Sequence, residues 1–173
     1  MNLPKTFKPN YVIIPAVTIL VALIGGMLTG DGMAWYKETL IRPDLTPPDY
    51  AFPIAWNIIF GCTTISALII WNKGTTARFL WWEFRKNLSD RGWWVMAFFV
   101  INAVLNVVWS LLFFKLGLIY PAFVEMFFLE ATVLILVALT WKISRTASLL
   151  LLPYLLWVGF ATYLTYRIVL LNV

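Results

Sequence analysis

Charged and proline-rich stretches divide this 173-residue chain into five apolar runs, at about residues 11–30, 52–71, 93–114, 119–142 and 146–171. Each is about 20 residues long, the length an α-helix needs to cross the hydrocarbon core of a bilayer. Lipid offers no hydrogen-bond partners, so at this length only a helix can satisfy every backbone N–H and C=O within the segment. The pattern predicts an all-α integral membrane protein, a single five-transmembrane-helix bundle over residues 1–173 with little length left for a soluble domain. Composition agrees, with hydrophobic residues at 62%, charged residues at 12% and a mean hydropathy of +0.85, far from the averages of water-soluble domains.

Lys5 and Lys8 before the first run have the outline of a signal peptide. The run is too long for that and no small-residue cleavage site follows, so it reads as the first span. The N-terminal tail, the second long loop and the fourth connection carry nine Lys/Arg, and the remaining connections and last span carry four. By the positive-inside rule the N-terminus is cytoplasmic and the first loop and C-terminus lie outside, with a bacterial inner membrane as the first expectation and a mitochondrial one as the second. The net charge of +5 comes from residues that flank spans, so membrane lipid head groups are the expected counterions and nucleic acid is not an expected partner. One cysteine, Cys62, and no histidine leave no donor set for a zinc, copper or haem-iron centre. No cofactor is required.

Polar and aromatic residues inside the spans recur at helical spacing. In the second span Pro53, Trp56, Asn57, Phe60, Thr64 and Ala67 step by three or four and share a face. In the third, Asn102, Asn106, Trp109 and Phe113 do the same, and polar groups at this depth are expected to face the bundle interior. The first span carries a small-residue face, Thr18, Ala22, Gly25, Gly26 and Thr29, suited to close helix contact. In the fifth, Pro153, Trp157, Phe160, Ala161 and Leu164 fall on one side, and Pro153 is expected to kink the helix and free a carbonyl towards a cavity. Glu125 and Glu130 in the fourth span are expected to be protonated or hydrogen-bonded to a neighbouring asparagine or hydroxyl.

The loops add a second kind of signal. We read residues 31–51 as a long first loop, begun by Trp35 and Tyr36 and stiffened by Pro43, Pro47 and Pro48, so that it acts as a lid over the aromatic faces. Residues 72–92 mix arginines and lysines with aromatics, as a helix lying at the interface would. Trp71, Trp81, Trp82, Trp93, Trp94 and Trp141 stand near span ends, where tryptophan anchors a helix among head groups. Gly117 is placed to take a left-handed conformation in the turn between spans three and four. A loose sterol-type pattern runs from Val158 through Tyr163 to Arg167.

Several motifs together resemble the translocator protein family, also called tryptophan-rich sensory proteins or peripheral-type benzodiazepine receptors. They are Trp35-Tyr36, the prolines 43, 47 and 48 followed by Trp56, the stretch LNVVWSLLFF from Leu105 to Phe114, and PYLLWVGFATYL from Pro153 to Leu164. The resemblance implies a five-helix bundle, often a homodimer, that binds protoporphyrin, haem and related tetrapyrroles, and in animal members sterol-like and benzodiazepine-type ligands. It implies a pocket beneath the first loop lined by Gly25, Leu28, Tyr36, Phe52, Trp56, Trp109, Trp157, Ala161 and Leu164. The interior faces add Asn57 and Asn106 to that set. The family's link between light and porphyrin breakdown would fall on Trp56 and Trp157. Leu45 stands where members commonly carry a tryptophan, and Thr165 where they often carry an asparagine.

Three functions are compatible with these residues. The first is a receptor or sensor that captures tetrapyrroles and regulates their handling, with porphyrin or haem as ligand. The second is a transporter of porphyrin or other small hydrophobic molecules, although no inverted repeat is legible. The third is porphyrin degradation, which without a nucleophile–base pair or metal would have to be photochemical. Conjugated rings would be held by aromatic faces, and ligand carboxylates by Lys37 and Arg42 in the first loop.

Overall fold

A computed structural model describes residues 9–74 and 90–172. Helix α1 spans Asn10–Glu38, α2 Ala51–Gly74 and α3 Asp90–Ser110, which continues as a π-helical turn over Leu111–Lys115. Helix α4 spans Ile119–Trp141, and the last crossing is divided into α5 (Arg145–Leu149) and α6 (Leu152–Asn172). Five helical segments are long and apolar enough to cross a membrane. The protein is a multi-pass integral membrane protein with a five-helix bundle fold. The interfacial helix expected within 72–92, with Trp81 and Trp82, falls mainly outside the described residues.

Helix α4 is the centre of the bundle. Its residues Ala122, Met126, Leu129, Val133 and Leu136 are almost completely buried, between α3 on one side and α5 and α6 on the other. Met126, Leu129 and Val133 pack with Ile59, Tyr154 and Val158, while Leu136 joins Ala67, Ile70, Val95, Phe99, Ala147 and Leu151. Two buried hydrogen bonds lie within this apolar core, from Asn102 Nδ2 to Thr132 Oγ1 at 2.8 Å and from Asn106 Nδ2 to the Tyr154 hydroxyl at 3.2 Å. With no water at this depth, leaving such groups unpaired would be costly.

Helix α1 is peripheral, with most of its apolar side chains turned outward. It is tied to α2 by the Thr64 hydroxyl, which donates to Thr18 Oγ1 at 2.9 Å, and by Asn72, which donates to the Tyr11 hydroxyl at 3.0 Å. It also passes the expected end of the first span near residue 30 by two turns, so Trp35 and Tyr36 are helical residues and the loop is only 39–50. Asp31 looks like a loop residue in the sequence, yet it forms an ion pair with Lys115 at 2.6 Å, and Gly32 lies against the π-helical turn. These contacts hold the extra turns in the helix.

The kink expected at Pro153 appears as a full interruption. Leu151 N–H bonds to the Ser148 carbonyl instead of Ala147, and Pro153, lacking an N–H, sits in the first turn of α6 where none is needed. The Ala147 carbonyl is satisfied by the Ser66 hydroxyl of α2 at 2.8 Å. The Ala147 carbonyl, left open by this break, therefore joins two helices. Gly117 takes φ +64° beneath the Trp35 indole, as its place in the turn predicts.

Candidate ligand-binding site

A cavity of about 500 Å³ lies beneath the first loop, walled by α1, α2, α3 with its π-helical turn, and α6. The α1 wall is Ala22, Gly25, Gly26, Thr29 and Gly30, continued by Met33 and Tyr36. Small side chains there leave the space that larger ones would fill. The α2 wall is Phe52, Pro53, Trp56, Asn57 and Phe60, with Trp56 stacked on Phe60 at 5.4 Å between centroids. Asn57 donates to the Pro53 carbonyl at 2.9 Å and stands at the exposed edge of the wall. On α6, Ala161, Leu164, Thr165 and Ile168 close the fourth side.

The α3 wall depends on the π-helical turn. Asn106, Trp109, Ser110, Phe113 and Phe114 all border the cavity. Widening the helix by one residue per turn brings both Phe113 and Phe114 beside Trp109, where a regular α-helix would bring only one. Trp109 stacks on Phe113 at 5.4 Å with 16° between planes, and meets Phe114 edge-on at 5.6 Å. Tyr36 touches both phenylalanines, with centroids at 6.0 and 5.8 Å. Trp109 Nε1 is buried with no acceptor among the described residues.

Polar contacts hold the first loop, whose Asp49 borders the cavity. Lys37 Nζ lies 2.6 Å and Arg42 Nη1 3.9 Å from the Asp49 carboxylate, and Asp49 itself borders the cavity. The hydrogen bond from Lys37 holds the Asp49 carboxyl below the usual carboxylate range. The side-chain amide of Asn172, at the end of α6, accepts from Ile41 N–H at 2.8 Å and donates to the Ile41 carbonyl at 2.9 Å. Leu45 is exposed on the loop.

Of the eleven residues expected from the sequence, Gly25, Tyr36, Phe52, Trp56, Asn57, Asn106, Trp109, Ala161 and Leu164 border this cavity. Leu28 and Trp157 do not. Leu28 lies one residue, about 100°, round the helix from Thr29 and faces aside. Trp157 stands one ring back, edge-on to Phe52 at 5.8 Å and beside Phe160 at 6.0 Å. Gly30, Met33, Asp49, Ser110 and Ile168 border the cavity without having been singled out. Each continues a marked face at helical spacing, except Asp49, which the folded loop alone brings in.

A second, largely apolar cavity of about 540 Å³ lies between α1, α2 and α3 towards the other end of the bundle, and shares Phe60 and Asn106 with the first. Glu125 and Glu130 border neither. Of the two expectations for them, protonation or a hydrogen bond to a neighbouring amide or hydroxyl, the hydrogen bond is absent for both Glu125 oxygens and for Glu130 Oε2 among the described residues. The sterol-type pattern is split between faces, with Val158 in the core and Tyr163 and Arg167 exposed. Trp93, Trp94 and Trp141 are exposed near helix ends, as anchors would be, whereas Trp71 is half-buried against the second cavity. Among the described residues no group of three His, Cys, Asp or Glu could hold a metal ion.

Comparison with known proteins adds relatives of the same size. Residues 11–171 match the model of the TspO/MBR family. The chain is 32% identical over 154 residues to a tryptophan-rich protein TspO of Chlorobaculum tepidum, covering 89% of this chain and 90% of that one. It is 27% identical over 139 residues to the protein CrtK of Rhodobacter capsulatus, covering 80% and 79%. The translocator protein of Ovis aries is 28% identical over 161 residues, covering 89% and 88%.

Proposed function

We propose that this protein, which belongs to the TspO/MBR family, is a membrane receptor that binds flat tetrapyrroles, protoporphyrin IX or haem, in the cavity beneath residues 39–50. The observation that supports this reading most is the placing of two stacked aromatic pairs, Trp56–Phe60 and Trp109–Phe113, on two walls of one cavity of about 500 Å³. A cavity of that size suits a ligand of several fused or linked rings. Each aromatic face adds about 0.5–1.5 kcal/mol beyond simple burial. The Trp109 Nε1–H supplies a buried donor for a ligand oxygen or nitrogen. Residues 39–50 act as the lid, and a partner protein reads their position.

The test is quenching of tryptophan fluorescence by protoporphyrin IX in detergent, in darkness, for the wild type, Trp56→Phe and Trp109→Phe. Saturable binding weakened by each substitution is expected, by less than the roughly 10-fold that loss of a whole aromatic face would bring, because phenylalanine keeps a smaller ring in place. Binding that never saturates, or that ignores both tryptophans, would mean that porphyrin only partitions into the micelle. Repeating the measurement in light, with Trp157→Phe added, separates capture from photochemical breakdown, which would consume the porphyrin.

A second reading, passage of the same ligands across the bilayer, draws on the second cavity and the wall it shares at Phe60 and Asn106. Porphyrin uptake into proteoliposomes distinguishes the two, because a receptor alone gives none.

A further inference from the structure

The charged side chains at the cavity mouth are ordered. Asp49 borders the cavity, and Lys37 and Arg42 stand behind it, each facing its carboxylate. Arg42 is held there from a second side, with its guanidinium 5.7 Å from the centroid of the Tyr36 ring. Two cations that do not themselves line the cavity thus meet a carboxylate that does. That is where the carboxylate of a ligand lying in the cavity would reach.

Exchange at this point is physically easy. The three side chains are 38–51% exposed, and ion pairs at such positions contribute little to a fold. The hydrogen bond from Lys37 keeps the Asp49 carboxyl below its usual range, so Asp49 meets a competing carboxylate charge for charge. The backbone around it is built to move as a unit. Pro43, Pro47 and Pro48 limit bending within the loop, Thr46 closes a turn onto the Pro43 carbonyl, and the segment is anchored at one end by the Asn172 amide on Ile41 and at the other by the start of α2.

We propose that Asp49 is a built-in surrogate for a ligand carboxylate: a flat aromatic ligand bearing a carboxylate displaces it from Lys37 and Arg42 and thereby frees residues 42–50 from the cavity mouth. This rests on the tetrapyrrole reading and adds two things to it. The site selects free acids over their esters, and occupancy is converted into loop movement.

The experiment compares protoporphyrin IX with its dimethyl ester, which has the same ring and no anionic oxygens, on the wild type, Asp49→Asn and Lys37→Gln, with Trp56→Phe as a pocket control. Asp49→Asn removes the competitor and is expected to tighten binding of the diacid by about two- to five-fold, the scale of an exposed ion pair, while leaving the ester unchanged. Lys37→Gln is expected to weaken the diacid only. Loop movement is read from an environment-sensitive dye on Leu45→Cys, an exposed loop position, in a Cys62→Ser background, which should respond to the diacid and not to the ester.

If both ligands bind saturably and Trp56→Phe weakens both, yet Asp49→Asn leaves their ratio unchanged, the surrogate role is wrong and the pocket stands. Saturable binding of neither ligand would remove the pocket and the surrogate together. A dye that responds equally to acid and ester would overturn the link between exchange and loop release.

Discussion

Gly32→Ala is the substitution whose cost follows most directly from the structure. A Cβ built on Gly32 would lie 2.0 Å from the Phe114 carbonyl oxygen, 2.5 Å from its carbonyl carbon and 2.7 Å from its Cα. Every one of these is backbone, so no rotamer change can relieve the contact. Bringing the oxygen out to even 3.0 Å requires α1 and the π-helical turn to part by about 1 Å. Overpacking of this kind costs about 1–3 kcal/mol, and the absence of any side-chain escape places Gly32 in the upper part of that range. For a chain of this size about 2–4 °C of melting temperature follows each kcal/mol, so a loss of about 5–10 °C is expected in a detergent melt. The same parting moves Phe113 and Phe114 away from Tyr36, so porphyrin binding should weaken as well. Gly61→Ala, with nothing within 4 Å of its added Cβ and no place on the cavity wall, is the control and should melt with or slightly above the wild type, since alanine in a helix interior is favoured over glycine by about 0.5–1 kcal/mol. A Gly32→Ala protein melting within about 2 °C of the wild type would refute the reasoning, since no accommodation inside the close packing of a helix interface is that cheap.

Other expectations follow from single contacts. Ser66→Ala strands the Ala147 carbonyl between α2 and α5 and should cost about 1–3 kcal/mol, measurable as a lower melting temperature that Ser66→Thr partly restores. Asn172→Ala removes both hydrogen bonds to Ile41 and should leave the bundle's melting temperature nearly unchanged while speeding proteolysis within residues 39–50; an unchanged cleavage rate would show that the clip does not hold the loop. The depressed Asp49 carboxyl gives a signed pH effect, because its ties to Lys37 and Arg42 are present above the ordinary aspartate range and lost as pH falls through the folded value. A dye on Leu45→Cys in the Cys62→Ser background should therefore report loop release below the usual carboxylate range, and Asp49→Asn should abolish that transition.

The five crossings were legible from hydropathy and length because lipid leaves an apolar run of about 20 residues little choice but to span as a helix. Much of the cavity was legible too, since Trp56 and Phe60, or Asn106, Trp109 and Phe113, must share a face once their segments are helical. Spacing along one helix, however, says nothing about what stands opposite. Leu28, which the family resemblance implied, is turned aside, and Trp157, in the same motif as Ala161 and Leu164, stands one ring back, which only the packing of α1 and α6 against their neighbours settles. The end of α1 was misplaced because Asp31 and Gly32 have the composition of a loop, while the contacts that keep them helical, to Lys115 and Phe114, come from 80 or more residues away in the chain.

The sequence by itself determined the solvent, the number of crossings and which faces of the helices are aromatic, because these follow from local composition and helical period. Only the tertiary structure decided that the third crossing ends in a π-helical turn bringing Phe113 and Phe114 together, that Ser66 captures the Ala147 carbonyl left open between α5 and α6, and that Asp49 comes to rest between two cations beside the cavity. Each of these depends on a partner distant in sequence, and the energy that fixes it exists only once the helices are assembled.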